Sequence, residues 1–257
     1  MNSRQSNTGE SGTVIVTGAS RGIGAAIARL AAERRYAVAV NYSTGAREAK
    51  AIAGEITHSG GRALAIHADI SREEQILELF HTAERDLGPI QALVNNAGIT
   101  GGFARVEDVT TEAIRKTFAV NVTGAILCAR EAVRRMSTKR GGAGGAIVNI
   151  SSIAARTGAA GEWVHYAASK GAIDSFTVGL AREVAAEGIR VNAVKPGLVD
   201  TEIHATGGEP GRLERLMGTI PMHRAGQANE IAEAALWLLS PAASYVTGSI
   251  LEIGGGR

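Results

Sequence analysis

Residues 13–29 read TVIVTGASRGIGAAIAR, a β-branched strand that passes through a glycine-rich turn into a helix. Gly18 allows a tight turn, Gly22 lets the backbone approach a ligand, and Gly24 permits close packing of the helix against the strand. The first turn of such a helix presents free N–H groups and the positive end of the helix dipole, which together bind phosphate. The G-x-x-x-G-x-G spacing therefore indicates a dinucleotide site, with an ordinary tight turn as the alternative. It is not a P-loop, because no Gly-Lys-Ser/Thr follows.

Short apolar runs continue along the chain and alternate with longer helical stretches. The runs lack clear polar–apolar alternation, which is typical of strands buried on both faces of a parallel sheet. Strands are predicted at Thr13–Thr17, Ala37–Tyr42, Ala63–His67, Ala92–Asn95, Ala146–Ser151, Arg190–Lys195 and Ile250–Ile253. Helices are predicted at 22–34, 46–58, 72–87, 111–136, 166–187 and 228–239. We expect an α/β fold, a single-domain doubly wound parallel sheet of the Rossmann type with about seven strands and helices on both faces.

Composition narrows the function classes. The 257 residues contain 27 Lys and Arg against 25 Asp and Glu, a net charge of +2 that does not predict a nucleic-acid partner. No apolar run approaches the roughly 18–20 residues that span a membrane, and no signal-peptide core is seen, so we expect a cytoplasmic protein. Residues 1–11 are expected to be a disordered leader before a domain at 12–257. The chain has one cysteine, and its six histidines lack the spacing of metal ligands, so we predict no metal site.

The end of the second predicted strand bears on the choice of cofactor. An acid there would bind the ribose 2′-hydroxyl of NAD and repel the 2′-phosphate of NADP. The strand ends instead with Asn41, Tyr42 and Ser43, and Arg21 in the glycine turn can face a phosphate as a charge-assisted partner. Both features favour NADP, and a solvated surface arginine is the alternative reading of Arg21.

Polar residues also follow the third and fourth predicted strands. Asp69 either accepts a hydrogen bond from an adenine amino group or caps the turn before the next helix. That helix is predicted to begin with a capping box made by Ser71 and Glu74. Asn95 can tie strand ends together, and Gly98 leaves room for a ribose.

A tyrosine and a lysine four residues apart suggest proton-transfer chemistry. Tyr166 and Lys170, in YAASK, share one face of the predicted helix. The pKa of a tyrosine, about 10, is too high for the side chain to act as a base at neutral pH. A neighbouring ammonium lowers that pKa by favouring the phenolate. Ser152, at the end of the fifth strand, can hold a carbonyl or alcohol oxygen beside the phenol. Taken alone, Tyr-x-x-x-Lys is more often the pattern of an exposed helix face.

Together, TGASRGIG, NNAG, Asn121, Ser152 and YAASK resemble the short-chain dehydrogenase/reductase family over residues 12–256. The resemblance implies that Tyr166 is the acid/base, that Lys170 binds the nicotinamide ribose and lowers the tyrosine pKa, that Ser152 orients the substrate oxygen, and that Asn121 holds a relay water. The resulting cofactor-binding set is Gly18, Ser20, Arg21, Gly22, Ile23, Gly24, Asn41, Tyr42, Ser43, Asp69, Ile70, Asn95, Ala97, Gly98, Tyr166, Lys170, Pro196, Gly197, Val199 and Thr201. The last four would line the nicotinamide carboxamide.

Residues 196–201 (PGLVDT) and the ending YVTGSILEIGGG are similar to the branch with 3-oxoacyl-carrier-protein reductases and glucose dehydrogenases. The segment between Ser152 and Tyr166 is one residue longer here, which argues against transferring a fatty-acid substrate. The resemblance implies an NADP-dependent oxidoreductase that moves hydride between nicotinamide and a small carbonyl or secondary-alcohol substrate. It also implies a homotetramer, with contacts through the helix at 111–136 and the C-terminal strand. A non-catalytic NADP-binding sensor or scaffold is the alternative. A nucleotide-dependent hydrolase or kinase would need a phosphate lysine and metal carboxylates, which are missing.

The stretch 201–227 interrupts the strand–helix alternation and is predicted to be a mobile lid over the substrate. Its glycine pair at 207–208 can absorb backbone rotation, and Pro221 can stiffen the far hinge. Leu213, Leu216 and Met217 share one face of a short helix. With Trp163 opposite, this face predicts a cavity for an apolar or ring-shaped substrate body more than for a strongly anionic one. A surface helix packed on its own domain is the alternative.

Overall fold

Seven parallel strands make one sheet in the computed structural model, which describes residues 11–257. The sheet has the order β3-β2-β1-β4-β5-β6-β7. The strands are β1 Ser11–Val16, β2 Tyr36–Tyr42, β3 Arg62–His67, β4 Ile90–Asn95, β5 Gly145–Ile150, β6 Ile189–Pro196 and β7 Ile250–Ile253. The chain order reverses between β1 and β4, and ligands of open parallel sheets bind at such a switch point. The predicted single-domain Rossmann-type α/β fold is confirmed.

Helices cover both faces of the sheet. They are α1 Gly22–Glu33, α2 Ala46–His58, α3 Glu73–Leu87, α4 Thr111–Phe118, α5 Ala125–Met136, α6 Ala154–Thr157, α7 Val164–Val184, α8 Ile203–Thr206, α9 Arg212–Leu216 and α10 Ala228–Leu239. The apolar core on one face contains α1, α2 and α10, and the core on the other contains α3, α5 and α7. Within residues 11–257, no helix is both long and apolar enough to cross a membrane.

The first strand shows why these sequences lack polar–apolar alternation. Val14 and Val16 pack into the core beside α1, whereas Ile15 between them packs into the core beside α3, and all three are fully buried. Successive strand side chains point to opposite faces, and a strand covered on both faces must be apolar at every position. The strand pattern therefore follows from the two helical layers.

The predicted helix at 111–136 is interrupted. Between α4 and α5 the chain forms a wider π-helical turn at Ala119–Gly124, which contains Asn121. A Cβ at Gly124 would collide with the carbonyl of Ile70, so this turn approaches the neighbouring loop as only glycine allows. Short π-helical segments inside α-helices frequently mark functional sites.

Three local predictions were wrong. The strand at the N-terminal end begins at Ser11, inside the leader expected at 1–11, and the rest of that leader lies outside the described residues. The capping box of Ser71 and Glu74 does not form, because α3 begins after Arg72 without a side-chain cap. Helix α7 begins at Val164, two residues before the expected start.

Side-chain hydrogen bonds join the carboxyl ends of the central strands. Asn41 accepts from the Gly18 N–H (3.2 Å), and its amide donates to the Ile66 and Ala68 carbonyls. On the other side of β1, the Thr17 hydroxyl accepts from the backbone N–H of Asn96 (3.0 Å). These bonds hold the glycine turn between β2 and β4.

Candidate active site

The carboxyl ends of the strands open into a cleft with a volume of about 1290 Å³. Ser152, Tyr166 and Lys170 line this cleft. Most of the predicted cofactor-binding residues line it too, namely Gly18, Ser20, Arg21, Gly22, Ile23, Gly24, Asn41, Ser43, Asp69, Ile70, Ala97, Gly98, Pro196, Gly197, Val199 and Thr201. Tyr42, Asn95 and Asn121 are not among the lining residues.

The glycine turn is shaped for close approach of a ligand. Gly18 and Gly22 have left-handed backbones, with φ of 62° and 53°. A Cβ on Gly18 would lie 2.8 Å from the Ala97 Cα, and one on Gly24 would collide with the Asn96 amide and the Gly18 carbonyl. Arg21 precedes α1 without a side-chain cap, which leaves the first-turn N–H groups available to an anion. These features fit the diphosphate of a dinucleotide.

A second part of the cleft lies beyond the glycine turn, at the end of β2. The Arg21 guanidinium donates to the Thr44 hydroxyl (3.4 Å), and Ser43 lines the cleft beside them. Tyr42 does not line this part of the cleft, and its role as a cofactor residue stays a prediction. Its ring is buried edge-on against His67, with 5.5 Å between centroids, because its side chain points to the opposite face from Ser43.

Asp69 and Asn95 serve the scaffold. One Asp69 carboxylate oxygen accepts from both the backbone N–H and the hydroxyl of Ser71, so Asp69 caps this turn. The Asn95 amide donates to the Ala125 carbonyl and to the Asn149 side chain. Asn95 therefore ties β4 to β5 and α5, and its contact with the cofactor stays a prediction.

Tyr166 and Lys170 lie together at the end of β5. Both side chains are buried, and the Lys170 Nζ is 5.7 Å from the centroid of the tyrosine ring. The ammonium donates to the Ile150 carbonyl at 2.6 Å. A Cβ on Gly98 would lie 3.4 Å from this Nζ, so the glycine leaves the space beside the amine open. The shared helix face predicted by the four-residue spacing is present, and it is buried rather than exposed.

Asn121 lies behind this pair, outside the lining of the cleft. Its amide donates to the Ile99 carbonyl and the Ser169 hydroxyl, and its Oδ1 accepts from the Ile99 N–H, each at 2.9 Å. The side chain thus clamps the π-helical turn to α7 and to the loop after β4. Only the main chain of Asn121 remains for a ligand or water.

The pKa values of the pair move in directions set mainly by burial. Burial raises the pKa of the Tyr166 phenol, while a hydrogen bond with Ser152 and the charge of Arg212 oppose that rise. Burial lowers the pKa of Lys170 from 10.5 to about 8, against the pull of Asp174. The Lys170 ammonium donates to the Ile150 carbonyl in this structure, and its lowering of the tyrosine pKa stays a prediction.

The two serines after β5 have different partners. The Ser151 hydroxyl donates to Asp174 (2.6 Å), whose other oxygen pairs with the buried ammonium of Lys195 (2.8 Å). The Ser152 hydroxyl accepts from the Ala154 N–H and hydrogen-bonds with Tyr166. Ser152 is therefore the serine beside the phenol. Sequence reasoning missed Asp174, although its position four residues after Lys170 places it on the same helix face.

The longer segment before Tyr166 forms a tight turn, with left-handed backbones at Gly158, Ala159 and Gly161. The turn is followed by Trp163, whose ring is buried edge-on against the Tyr166 ring with 6.2 Å between the two centroids. Because alanine rarely adopts a positive φ, the strained Ala159 indicates that the surrounding packing holds this turn in place.

Helix α9 of the expected lid brings cations to this part of the cleft. The Arg212 guanidinium lies 4.3 Å from the Trp163 ring centroid and donates twice to the Glu162 carboxylate, at 3.0 and 2.8 Å. Of the three predicted apolar residues, Leu216 alone lines the cleft, beside Arg212 and Arg215. The predicted apolar face thus contributes one residue to the cleft, and the preference for an apolar or ring-shaped substrate body stays a prediction. Movement of the segment stays a prediction.

Residues 11–257 contain no group of three or more His, Cys, Asp or Glu side chains that could hold a metal ion. Cys128 is buried in α5, and burial raises the pKa of its thiol to about 12.

Known proteins resemble the chain over nearly its whole length. A family model described as enoyl-(acyl carrier protein) reductase matches residues 18–257. The uncharacterized oxidoreductase YgfF of Escherichia coli K12 is 54% identical over 243 residues, which cover 95% of this chain and 98% of that protein. Glucose 1-dehydrogenase 2 of Bacillus subtilis is 38% identical over 244 residues, which cover 95% and 93%.

Solved structures agree with these relatives. A Serratia marcescens short-chain dehydrogenase/reductase mutant superposes with a TM-score of 0.89 at 35% identity, covering 96% of this chain and 98% of that one. A blue fluorescent protein from a metagenomic library, in complex with NADPH, superposes with a TM-score of 0.88 at 34% identity and the same coverage. The chain belongs to the short-chain dehydrogenase/reductase family, and it is an oxidoreductase that acts on CH–OH donors.

The buried Lys170 makes stability depend on pH. A folded-state pKa of about 8 against 10.5 means that charging this amine costs the folded protein roughly 3 kcal/mol below pH 8. Lys170→Met should therefore be more stable than wild type at pH 7, by about 1–3 kcal/mol after loss of the bond to Ile150. The difference should shrink from pH 8 to about pH 10.5, as the folded amine of the wild type loses its proton.

Urea unfolding across this pH range measures the difference, with the exposed Lys50→Met as the matched control. A Lys170→Met protein that is less stable than wild type at pH 7, or whose difference from wild type is constant with pH, would contradict the assigned burial cost.

Proposed function

We propose that this oxidoreductase uses NADP(H) to interconvert a ketone or aldehyde and the corresponding alcohol, with Tyr166 as the acid/base. The observation that carries the proposal is the position of Tyr166, Ser152 and Lys170 in the same cleft as the glycine turn of α1. A ligand that spans this cleft reaches from the phosphate-binding turn to the phenol. A protein that merely senses NADP has no need of a buried tyrosine–lysine pair that costs stability.

The residues that would hold the cofactor fit its parts. The glycine turn would take the diphosphate, Asp69 and Ile70 would border the adenine, and Lys170 would bind the nicotinamide ribose through the opening beside Gly98. The nicotinamide ring would lie against residues that follow β6, namely Pro196, Gly197, Val199 and Thr201. When bound, this group supplies or accepts the hydride.

The preference for NADP over NAD rests on charge. The β2 end carries no acid that would repel a 2′-phosphate, and Arg21, Ser43 and Thr44 offer a guanidinium and two hydroxyls. A structural neighbour at 34% identity binds NADPH according to its title. These observations support NADP as the cofactor of this chain.

The side chains around Tyr166 divide the chemistry among them. Ser152 would donate a hydrogen bond to the substrate oxygen and hold it against the phenol. In the reductive direction Tyr166 would give its proton to that oxygen, and in the oxidative direction the phenolate would take it back. Asn121 would hold a relay water through its main chain, since its side-chain atoms are engaged. Lys170 would stabilise the phenolate.

Removing the phenol oxygen tests the acid/base role. Tyr166→Phe should reduce kcat at least about 100-fold for any carbonyl the wild type reduces, because the proton donor is lost. NADPH affinity, measured by fluorescence titration, should stay within about threefold, since the ring still packs against Trp163. A variant that keeps most of its kcat would show that Tyr166 is not the acid/base. A wild type that binds NADPH but turns over no carbonyl would favour the sensor.

Arg21 and the residues at the end of β2 give a separate test of the cofactor preference. Wild type should favour NADPH over NADH in kcat/KM, and Ser43→Asp should reverse the preference by placing a carboxylate against the 2′-phosphate. Arg21→Gln should lower kcat/KM for NADPH about tenfold and leave that for NADH unchanged. Arg47→Gln, an exposed arginine outside the cleft lining, is the control. A wild-type preference for NADH would overturn the argument from the missing acid.

We also propose a closed homotetramer. Its contacts would use α4 and α5, which expose Ile114 and Ile126, and the edge formed by α10 and β7, which expose Trp237 and Leu251. Light scattering should give about four times the 26.5 kDa chain mass. A monomer mass would refute this assembly.

A further inference from the structure

The substrate end of the cleft collects three arginines. Arg212, Arg215 and Arg257 all line the cleft that contains Tyr166. Arg212 and Arg215 share the Glu162 carboxylate, with Arg215 donating at 2.6 Å. The positive charges of Arg212 and Arg215 help lower the pKa of Arg257, after burial, so the three guanidiniums lie near one another.

The carboxylates nearby do not balance this charge. Both oxygens of Glu162 are taken by Arg212 and Arg215. Glu209 approaches Arg215 only at 3.5 Å and is not among the residues that line the cleft. Arg257 has no side-chain partner among residues 11–257. At this end of the cleft three guanidiniums therefore meet the two carboxylates of Glu162 and Glu209, while Glu112 and Glu202 also line the cleft.

Two buried N–H donors in this part of the cleft lack a good acceptor within the described residues. His204 contacts the Val199 carbonyl through Nε2 at 3.0 Å, so Nε2 carries the proton and Nδ1 can accept only weakly from the Arg212 Nη1, at 3.5 Å. The Nη1 edge of Arg212 is thus nearly free. The buried Trp163 Nε1 also finds no acceptor in the described part of the chain. Buried donors are rarely left unpaired.

We propose that this end of the cleft binds a carboxylate carried by the substrate, so that the substrate is a keto acid or hydroxy acid with its reacting carbon at Tyr166. This inference rests on the proposed function and specifies its substrate class. Trp163 lies between Tyr166 and the Arg212 guanidinium and offers an aromatic wall to the body of the substrate. A substrate body of about one ring along this wall would carry the carboxylate from the phenol to the guanidinium.

A purely structural role explains only part of the arrangement. The Nε and Nη2 of Arg212 hold Glu162 and thereby the strained turn at 158–161. That role leaves the Nη1 edge unexplained, and it requires neither Arg257 nor its position in the cleft lining. A planar guanidinium with a free edge is suited to bidentate recognition of a carboxylate.

A matched pair of ketones tests the assignment. 4-Acetylbenzoate and 4-acetylbenzamide share shape and reacting carbonyl and differ in the charge of the far group. With NADPH, the wild type should favour the acid at least about tenfold in kcat/KM. Arg257→Gln and Arg212→Gln should each reduce this acid-to-amide ratio at least about fivefold. Use of a ratio cancels any effect of Arg212 on the Tyr166 pKa.

Controls separate charge from folding. Arg224→Gln removes an arginine that pairs with Glu230 outside the cleft lining, and it should keep the wild-type ratio. If Arg212→Gln fails to fold, Arg257→Gln still tests the carboxylate site, because the Arg257 guanidinium binds no other side chain among the described residues. A wild type that reduces the amide as well as the acid, or variants that keep the wild-type ratio, would overturn the carboxylate site.

Binding of benzoate keeps this test independent of turnover. Calorimetric titration of the NADP⁺-loaded enzyme should show benzoate binding at least about tenfold tighter than benzamide, with the difference lost in Arg257→Gln. If no ketone is reduced, the proposed function fails, while selective benzoate binding would still support the anion site. If ketones are reduced and benzoate binds no better than benzamide, the carboxylate site alone is overturned.

Discussion

The amine of Lys170 is buried at the end of β5, and much of the site is arranged around that one cation. Its 2.6 Å bond to the Ile150 carbonyl fixes α7 against the sheet, which puts Tyr166 one helical turn away at the open cleft. Gly98 leaves space on the free side of the amine, and Asn121 clamps the π-helical turn behind it. A buried charge needs such support because each missing partner would leave it more costly.

The need to pair buried polar groups also explains why the scaffold around the cleft is polar and rigid. The side chains of Asn41, Thr17 and Asn95 join strand ends, and Asp174 pairs with the buried Lys195 behind Tyr166 and Lys170. Buried polar groups of this kind stabilise one geometry, since their partners would be left unsatisfied in any other. The phosphate-binding turn and the phenol are consequently held at fixed positions along one cleft.

Some of this arrangement could be read from the sequence. The strand runs, the glycine spacing and the four-residue spacing of Tyr166 and Lys170 are local patterns with a direct physical meaning. Contacts between distant segments were not readable. The pairing of Glu162 with Arg212 joins residues 50 positions apart, and it brings an arginine to a part of the cleft where only an apolar face was expected. The π-helical turn has no distinctive local signal, because it depends on packing.

The central claim is that the cleft brings a nicotinamide cofactor and the Tyr166 phenol together for proton transfer. Ultraviolet difference titration of the phenol, with Tyr166→Phe to identify its signal, tests this most directly. We predict a pKa raised by burial in the free enzyme, above the usual tyrosine value. In the NADP⁺ complex we predict a pKa at least about one pH unit lower, since the cationic nicotinamide ring would add a positive charge that favours the phenolate. A Tyr166 pKa that NADP⁺ leaves unchanged, or raises, would contradict the claim.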